Sequence, residues 1–166
     1  MTNLSDNRSI FFSYDERGIR KIGQLMLNGE IKNITNDLGG TTLGRPYLSG
    51  SYHHSAKNIA FTYGGGNRPA DVAVLMNGKV NVLTELNNDL LDQLKLGDIN
   101  EVVYNSSFDD QEIQGWYITP PDFDPEKKYP LILEIHGGPH LAYGPNFSAE
   151  LQIMAASGYV VFYNNY

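Results

Sequence analysis

The sequence predicts two architectures in one chain: an incomplete all-β part of propeller-like blades over residues 1–97, and the opening of an α/β domain over residues 98–166. Three observations carry that expectation. A pattern of short β-rich runs recurs at an offset of 49 residues, the pattern stops after Thr84, and the last third reads as strand, glycine loop, helix and strand.

The repeat comes first. At that offset Ile10, Phe12 and Tyr14 fall on Ile59, Phe61 and Tyr63, and Asn28, Gly29 and Thr35 fall on Asn77, Gly78 and Thr84. Between the identities, Leu25-Met26-Leu27 meets Val74-Leu75-Met76, and Ile31 and Ile34 meet Val80 and Leu83. Residues 9–14 and 58–63 mix apolar and polar residues in short runs bounded by turn formers, which predicts strands. Asn28-Gly29 and Asn77-Gly78 each separate two such runs, and Asn-Gly is the strongest short signal for a type I′ hairpin turn. Residues 15–18 and 64–69 are expected to be longer loops. Units of several strands repeating every ~40–50 residues are the pattern of propeller blades; the alternative is a small sandwich with two similar hairpins. Two blades do not close a propeller of ~4–8, and Met1 stands almost directly before a strand. The chain is therefore expected to begin inside a larger array.

Beyond Thr84, Leu86, Leu90, Leu91 and Leu94 have a helical spacing that predicts one or two turns of linking helix within residues 85–97. Residues 99–104 and 113–118 form a hairpin around the polar turn 106–110, and Pro120-Pro121 opens a loop through residue 128. Residues 129–136 read as a nearly continuous apolar strand buried on both faces, as in a parallel sheet. After the Gly137-Gly138 loop, Asn146 is placed to cap a helix running to Ser157. Phe147, Leu151, Met154 and Ala155 make its buried stripe, Glu150 lies near the positive end of its dipole, and Gly158 ends it. Residues 159–163 supply another strand, which completes a βαβ unit and leaves the sheet unfinished.

Composition narrows the function classes. The 166 residues are 41% hydrophobic and 19% charged, so the chain can bury a core. Twelve Lys and Arg against nineteen Asp and Glu give a net charge of −7, which argues against a nucleic-acid or anionic-membrane partner. The absence of Cys excludes disulfides, thiolate metal sites and a cysteine nucleophile. His53-His54 has no carboxylate or third His at a ligand spacing, so a metal site is not expected, and no cofactor is assigned. No apolar run approaches a membrane span, and residues 1–9 are too polar for a signal peptide, which favours a cytoplasmic location.

The run that can carry chemistry is His136-Gly137-Gly138-Pro139, at the C-terminal end of a predicted strand, where open α/β sheets place their ligands. Two glycines let backbone N–H groups approach a substrate without side-chain obstruction. In α/β-hydrolases the loop after the third strand supplies one N–H of the oxyanion hole in an HGGG-type motif. The plain alternative is a tight turn in which His136 satisfies a backbone carbonyl; the strand before and the helix after favour the functional reading.

At this point a resemblance enters. Gly115-Trp116-Tyr117-Ile118-Thr119-Pro120, then Lys128-Tyr129-Pro130-Leu131-Ile132-Leu133-Glu134-Ile135-His136-Gly137-Gly138-Pro139, then Ala155-Ala156-Ser157-Gly158-Tyr159-Val160-Val161 and Asn165-Tyr166 resemble the prolyl oligopeptidase family of serine peptidases (S9), nearest its acylaminoacyl-peptidase and dipeptidyl-peptidase branch. The motif-rich match covers residues 113–166; the repeat agrees in architecture only. The resemblance implies a β-propeller followed by the start of an α/β-hydrolase domain. It also implies that the N–H of Gly138 contributes to the oxyanion hole, with Gly137 and Pro139 shaping the loop. Some members carry at the position of His136 a Tyr whose hydroxyl binds the oxyanion; His in its place favours a backbone donor.

The nucleophile is missing. No Gly-x-Ser-x-Gly elbow occurs, and in α/β-hydrolases Ser, Asp and His all follow this loop. Ser106, Ser148 and Ser157 lack the elbow, and His140 is not the base. No catalytic residue is therefore assigned in this chain, which is expected to be inactive and poorly soluble without the remainder of the same polypeptide. The expected function is a fragment of a peptidase that cleaves short peptides through an acyl-enzyme, with oligomerisation possible. A propeller-fused serine esterase and a non-catalytic propeller interaction module are the alternatives.

Overall fold

In the computed structural model, which describes residues 9–55, 58–138 and 140–165, the repeat reappears as matching strands. Strands β1 (Ser9–Glu16), β2 (Ile19–Met26) and β3 (Ile31–Thr35) form an antiparallel sheet in chain order. Strands β4 (Tyr52–His54), β5 (Asn58–Gly65), β6 (Arg68–Met76) and β7 (Lys79–Val82) form a second one, also in chain order. β5 begins and ends 49 residues after β1. Alternation turns Ile59, Phe61 and Ala73 inward against Ile22 and Leu38, with Phe11, Ile34, Tyr52, Tyr63 and Leu75 packed around them. Each such large apolar side chain contributes about 1.5–3 kcal/mol on burial.

Two of the turns differ from expectation. Asn77 and Gly78 have φ of 50° and 74° between paired Met76 and Lys79, the two-residue type I′ turn that Asn-Gly predicts. Around Asn28-Gly29 the loop is one residue longer. There Gly29 donates to the Met26 carbonyl and Met26 to that of Glu30, only Gly29 (φ 86°) is left-handed, and Asn28 Oδ1 accepts from the amide of Glu30. That side-chain bond stabilises Asn28 with a negative φ, as Asx turns do. The connections expected to be long are short: β1 and β2 are joined by Arg17-Gly18, both left-handed, and β5 and β6 by Gly66-Asn67. Strand pairing simply continues through residues whose polarity suggested loop.

A single helical turn, α1 (Asn88–Leu91), leads out of β7, with Leu86, Leu90 and Leu94 exposed. The second half contains β8 (Ile99–Asn105), β9 (Glu112–Ile118), β10 (Leu131–Glu134), α2 (Ala149–Ala156) and β11 (Val160–Asn165). Its sheet runs β10-β11-β9-β8, with β10 parallel to β11 and the other pairs antiparallel. Trp116, Ile118, Tyr143, Leu151, Ala155, Val161 and Tyr163 form its core.

The strand expected over residues 129–136 is four residues long, and it is not buried on both faces: Leu131, Leu133 and Ile135 are exposed. β10 is an edge strand: Ile132 packs against the core, while α2 lies against β11 and β9. The helix cap also moves. Ser148, not Asn146, caps α2, accepting at Oγ from Leu151 N at 3.2 Å and donating to the Gly44 carbonyl at 2.7 Å. Asn146 points instead at the Pro46 and Tyr47 carbonyls. In the buried stripe Gln152 joins Leu151 and Ala155, and its amide closes both backbone groups of Gly97, at 2.8 and 3.1 Å.

Candidate functional site

The site grows from the C-terminal end of β10. Glu134 closes the strand, Ile135 faces out, and His136 turns in, only 7% exposed. Gly137 and Gly138 then return to the surface, and Gly138 has φ of 78°, a conformation that disfavours any residue with a Cβ. The Gly138 carbonyl accepts from Leu141 N at 3.4 Å. Among the described residues, neither Gly137 nor Gly138 donates its amide to a backbone carbonyl. Pro139 lies outside the described residues, so the expected four-residue loop is seen in three of its members. His140 is exposed.

His136 is held by aromatic edges. Its ring meets Tyr143 at 4.9 Å and 72°, and Tyr47 at 6.4 Å and 73°, while Nδ1 lies 3.4 Å from the Gly137 carbonyl. The imidazole therefore points into the body of the domain. Tyr143 is buried, and its backbone is pinned both ways by Asn165, which accepts from its amide at 2.8 Å and donates to its carbonyl at 2.9 Å. The Tyr143 hydroxyl donates to Glu134 Oε1 at 3.0 Å. Burial first, then the neighbouring Tyr47 phenol and the charge of Glu150, raise the Tyr143 pKa, with Arg45 opposing; the hydroxyl stays a donor at neutral pH. Burial does the same for Tyr163, whose hydroxyl reaches the Gly144 carbonyl at 3.4 Å.

Charge balance comes from the other half of the chain. Arg45 Nη1 contacts Glu134 Oε1, while Nε and Nη2 hold Glu150 of α2 at 2.9 and 3.2 Å. Backbone pairing runs alongside: Leu48 N donates to the Ala142 carbonyl at 2.9 Å, Gly144 N to that of Pro46 at 3.0 Å, and Tyr47 bridges Tyr143.

The serines set aside in the sequence have structural bonds. Ser106 Oγ accepts from Phe108 N, Ser157 Oγ donates to the Ile153 carbonyl, and Ser148 caps α2. Among the described residues, no group of three or more His, Asp or Glu is placed to hold a metal ion, and no helix is long and apolar enough to cross a membrane. Sequence reasoning missed Arg45, Glu134 and Tyr143. An acid inside the apolar run of residues 129–136 was a usable signal, because a carboxylate drawn into a sheet needs a partner. Nothing in the sequence singles out Arg45 as that partner.

No family model matches the chain. Over 100 residues it is 34% identical to an uncharacterized peptidase of Bacillus subtilis strain 168, YuxL, a match covering 60% of this chain and 15% of that protein. Over 168 residues it is 29% identical to the "Probable dipeptidyl-aminopeptidase B" of Botryotinia fuckeliana, covering 96% of this chain and 18% of that one. Among solved structures, the Pyrococcus horikoshii acylaminoacyl peptidase superposes with a TM-score of 0.77 at 22% identity, over 99% of this chain and 24% of its own. This chain thus spans a quarter or less of the length of each of these proteins. Peptidase relatives along nearly its whole length, and the same fold in a solved acylaminoacyl peptidase, support a peptidase of the prolyl oligopeptidase family (S9), of which this chain covers a fragment.

Proposed function

We propose that residues 1–97 are two blades and a linker of a β-propeller, that residues 98–166 open an α/β-hydrolase domain, and that the loop at residues 136–139 supplies an oxyanion-hole N–H to a serine peptidase acting on short peptides. The observation that carries this is Gly138. Its left-handed backbone stands at the C-terminal end of β10, and its amide has no backbone acceptor among the described residues. Attack on a scissile carbonyl puts negative charge on its oxygen, and a preset N–H stabilises that oxygen without reorganising at the moment of reaction. The inward His136 ring, packed on Tyr143, leaves the backbone as the donor. The linker ends at Gly97, whose backbone is held by Gln152 of α2, and this supports placing the domain boundary after it.

The nucleophile, acid and base come from outside residues 1–166, because no Gly-x-Ser-x-Gly elbow is present. The test uses a fluorophosphonate probe and a short chromogenic peptide. The full-length protein is expected to react with both, and residues 1–166 alone with neither. Gly138→Ala, which strains the backbone at φ 78° and turns the amide, is expected to lower kcat by about 10²-fold. Labelling of the isolated chain, or a Gly138→Ala enzyme of full activity, contradicts the proposal. Hydrolysis of esters without peptides converts it to an esterase.

A further inference from the structure

The ion-pair cluster at the end of β10 joins residues about a hundred positions apart and touches the glycine loop through one aromatic ring. We propose that Arg45 is a positioning residue for the oxyanion loop: from the propeller side it fixes Glu134, through Glu134 it fixes Tyr143, and so it sets the direction in which the amides of Gly137 and Gly138 point. The inference rests on the oxyanion reading above and adds to it a dependence of that loop on the first half of the chain.

The chain of contacts is short. Glu134 Oε1 receives both the Arg45 guanidinium and the Tyr143 hydroxyl, and the Glu134 side chain is only 13% exposed. A carboxylate so far out of water needs a countercharge. Without Arg45 its charge keeps one phenol donor, and the side chain is expected to swing toward solvent, which takes away the acceptor that orients Tyr143. The Tyr143 ring is the surface on which His136 rests, and His136 is the residue before Gly137. At the far end of the same loop, residues 46–48 hold residues 142–144 by two backbone bonds and the Tyr47–Tyr143 bridge. The glycine turn is therefore suspended between two anchors, and residues 45–48 contribute to both. Misplacing a catalytic donor by about 1 Å can cost up to ~10²-fold in rate.

Glu150 provides an internal control. It takes the other side of the Arg45 guanidinium, is 42% exposed and belongs to α2 rather than to the loop. A merely cementing Arg45 would lose stability alike whether Glu134 or Glu150 is neutralised; a positioning Arg45 separates the two.

The experiment is done on the full-length protein with Arg45→Met, Arg45→Lys, Glu134→Gln and Glu150→Gln. Arg45→Met and Glu134→Gln are expected to lower kcat and the rate of fluorophosphonate labelling by about tenfold or more, with KM within about twofold. Arg45→Lys recovers part of the loss, and Glu150→Gln leaves both rates within about twofold. Unchanged rates in Arg45→Met, or equal losses in Glu134→Gln and Glu150→Gln that follow their melting temperatures, overturn the proposal. Hydrogen exchange provides a readout independent of catalysis: in Arg45→Met the amides of Leu141, Tyr143 and Gly144 are expected to exchange about tenfold faster while those of β5 and β6 do not change. If the wild-type protein neither labels nor cleaves, the oxyanion reading fails, and this exchange pattern still decides the positioning claim; unaltered exchange at the three amides sinks it.

Discussion

The repeat half and the α/β half of this molecule are held together over opposite distances along the chain. In residues 9–82 the strands pair in chain order within each of two sheets, β1-β2-β3 and β4-β5-β6-β7. In the α/β half the site depends on partners far away: Ser148 with Gly44, Arg45 with Glu134 and Glu150, Gln114 with the Arg17 carbonyl. The repeat can specify itself locally, whereas the loop that carries the proposed chemistry takes its position from the whole chain. Substitutions in the two halves should accordingly fail in different ways.

The largest effect is expected at the seam. Gly18, in the first hairpin turn, has φ of 69°, and a Cβ there would run into the buried Trp116 ring of β9. Gly18→Ala should therefore cost about 2–4 kcal/mol, from left-handed strain and overpacking together, and be read as a lowered melting temperature. Local damage confined to the first hairpin, with β9 unaffected in hydrogen exchange, would break the contrast.

Next comes Asp71, the buried acid of β6. It receives Arg68 at 2.6 Å, the Thr84 hydroxyl at 2.9 Å and the Leu86 amide at 2.9 Å. Burial by itself raises its pKa, but these bonds outweigh it and the net shift is downward. The sign follows: its stabilisation is fully present above the ordinary carboxylate value of about 4 and is lost as pH falls through the lower folded value. Asp71→Asn is expected to cost about 2 kcal/mol near neutral pH and to flatten the acid limb of the stability profile. An unchanged acid limb would count against the assignment.

The smallest effect sharpens the comparison within the repeat. Asn77 sits at φ 50° and Asn28 does not, although both precede Gly in matching positions. Asn77→Ala should cost about 1 kcal/mol for the left-handed residue. Asn28→Ala should lose only the side-chain bond to Glu30, about half as much. Equal losses would mean that the two turns are the same in solution.

These pairs also mark what the sequence makes legible. The offset of 49, the β8–β9 hairpin and the β10–α2–β11 unit were readable because each rests on periodicity or on turn residues acting over a few positions. The Asn28 turn was not, because a side-chain bond selects between two turns that one dipeptide allows. The helix cap was misplaced by two residues because Ser148 gains a second bond to Gly44, a partner no local rule includes. The glycine loop was visible as a motif, but its supports were not: Arg45 looks like an ordinary surface cation until the fold brings Glu134 and Glu150 to it.

The most direct measurement is a structure of the full-length protein with a phosphonate on its nucleophile, whose P–O⁻ stands where the attacked carbonyl oxygen becomes negative. The Gly138 nitrogen is expected within about 2.7–3.1 Å of that oxygen, with the His136 ring still against Tyr143. A phosphonate oxygen held by other donors, with the Gly138 amide turned away, would contradict it.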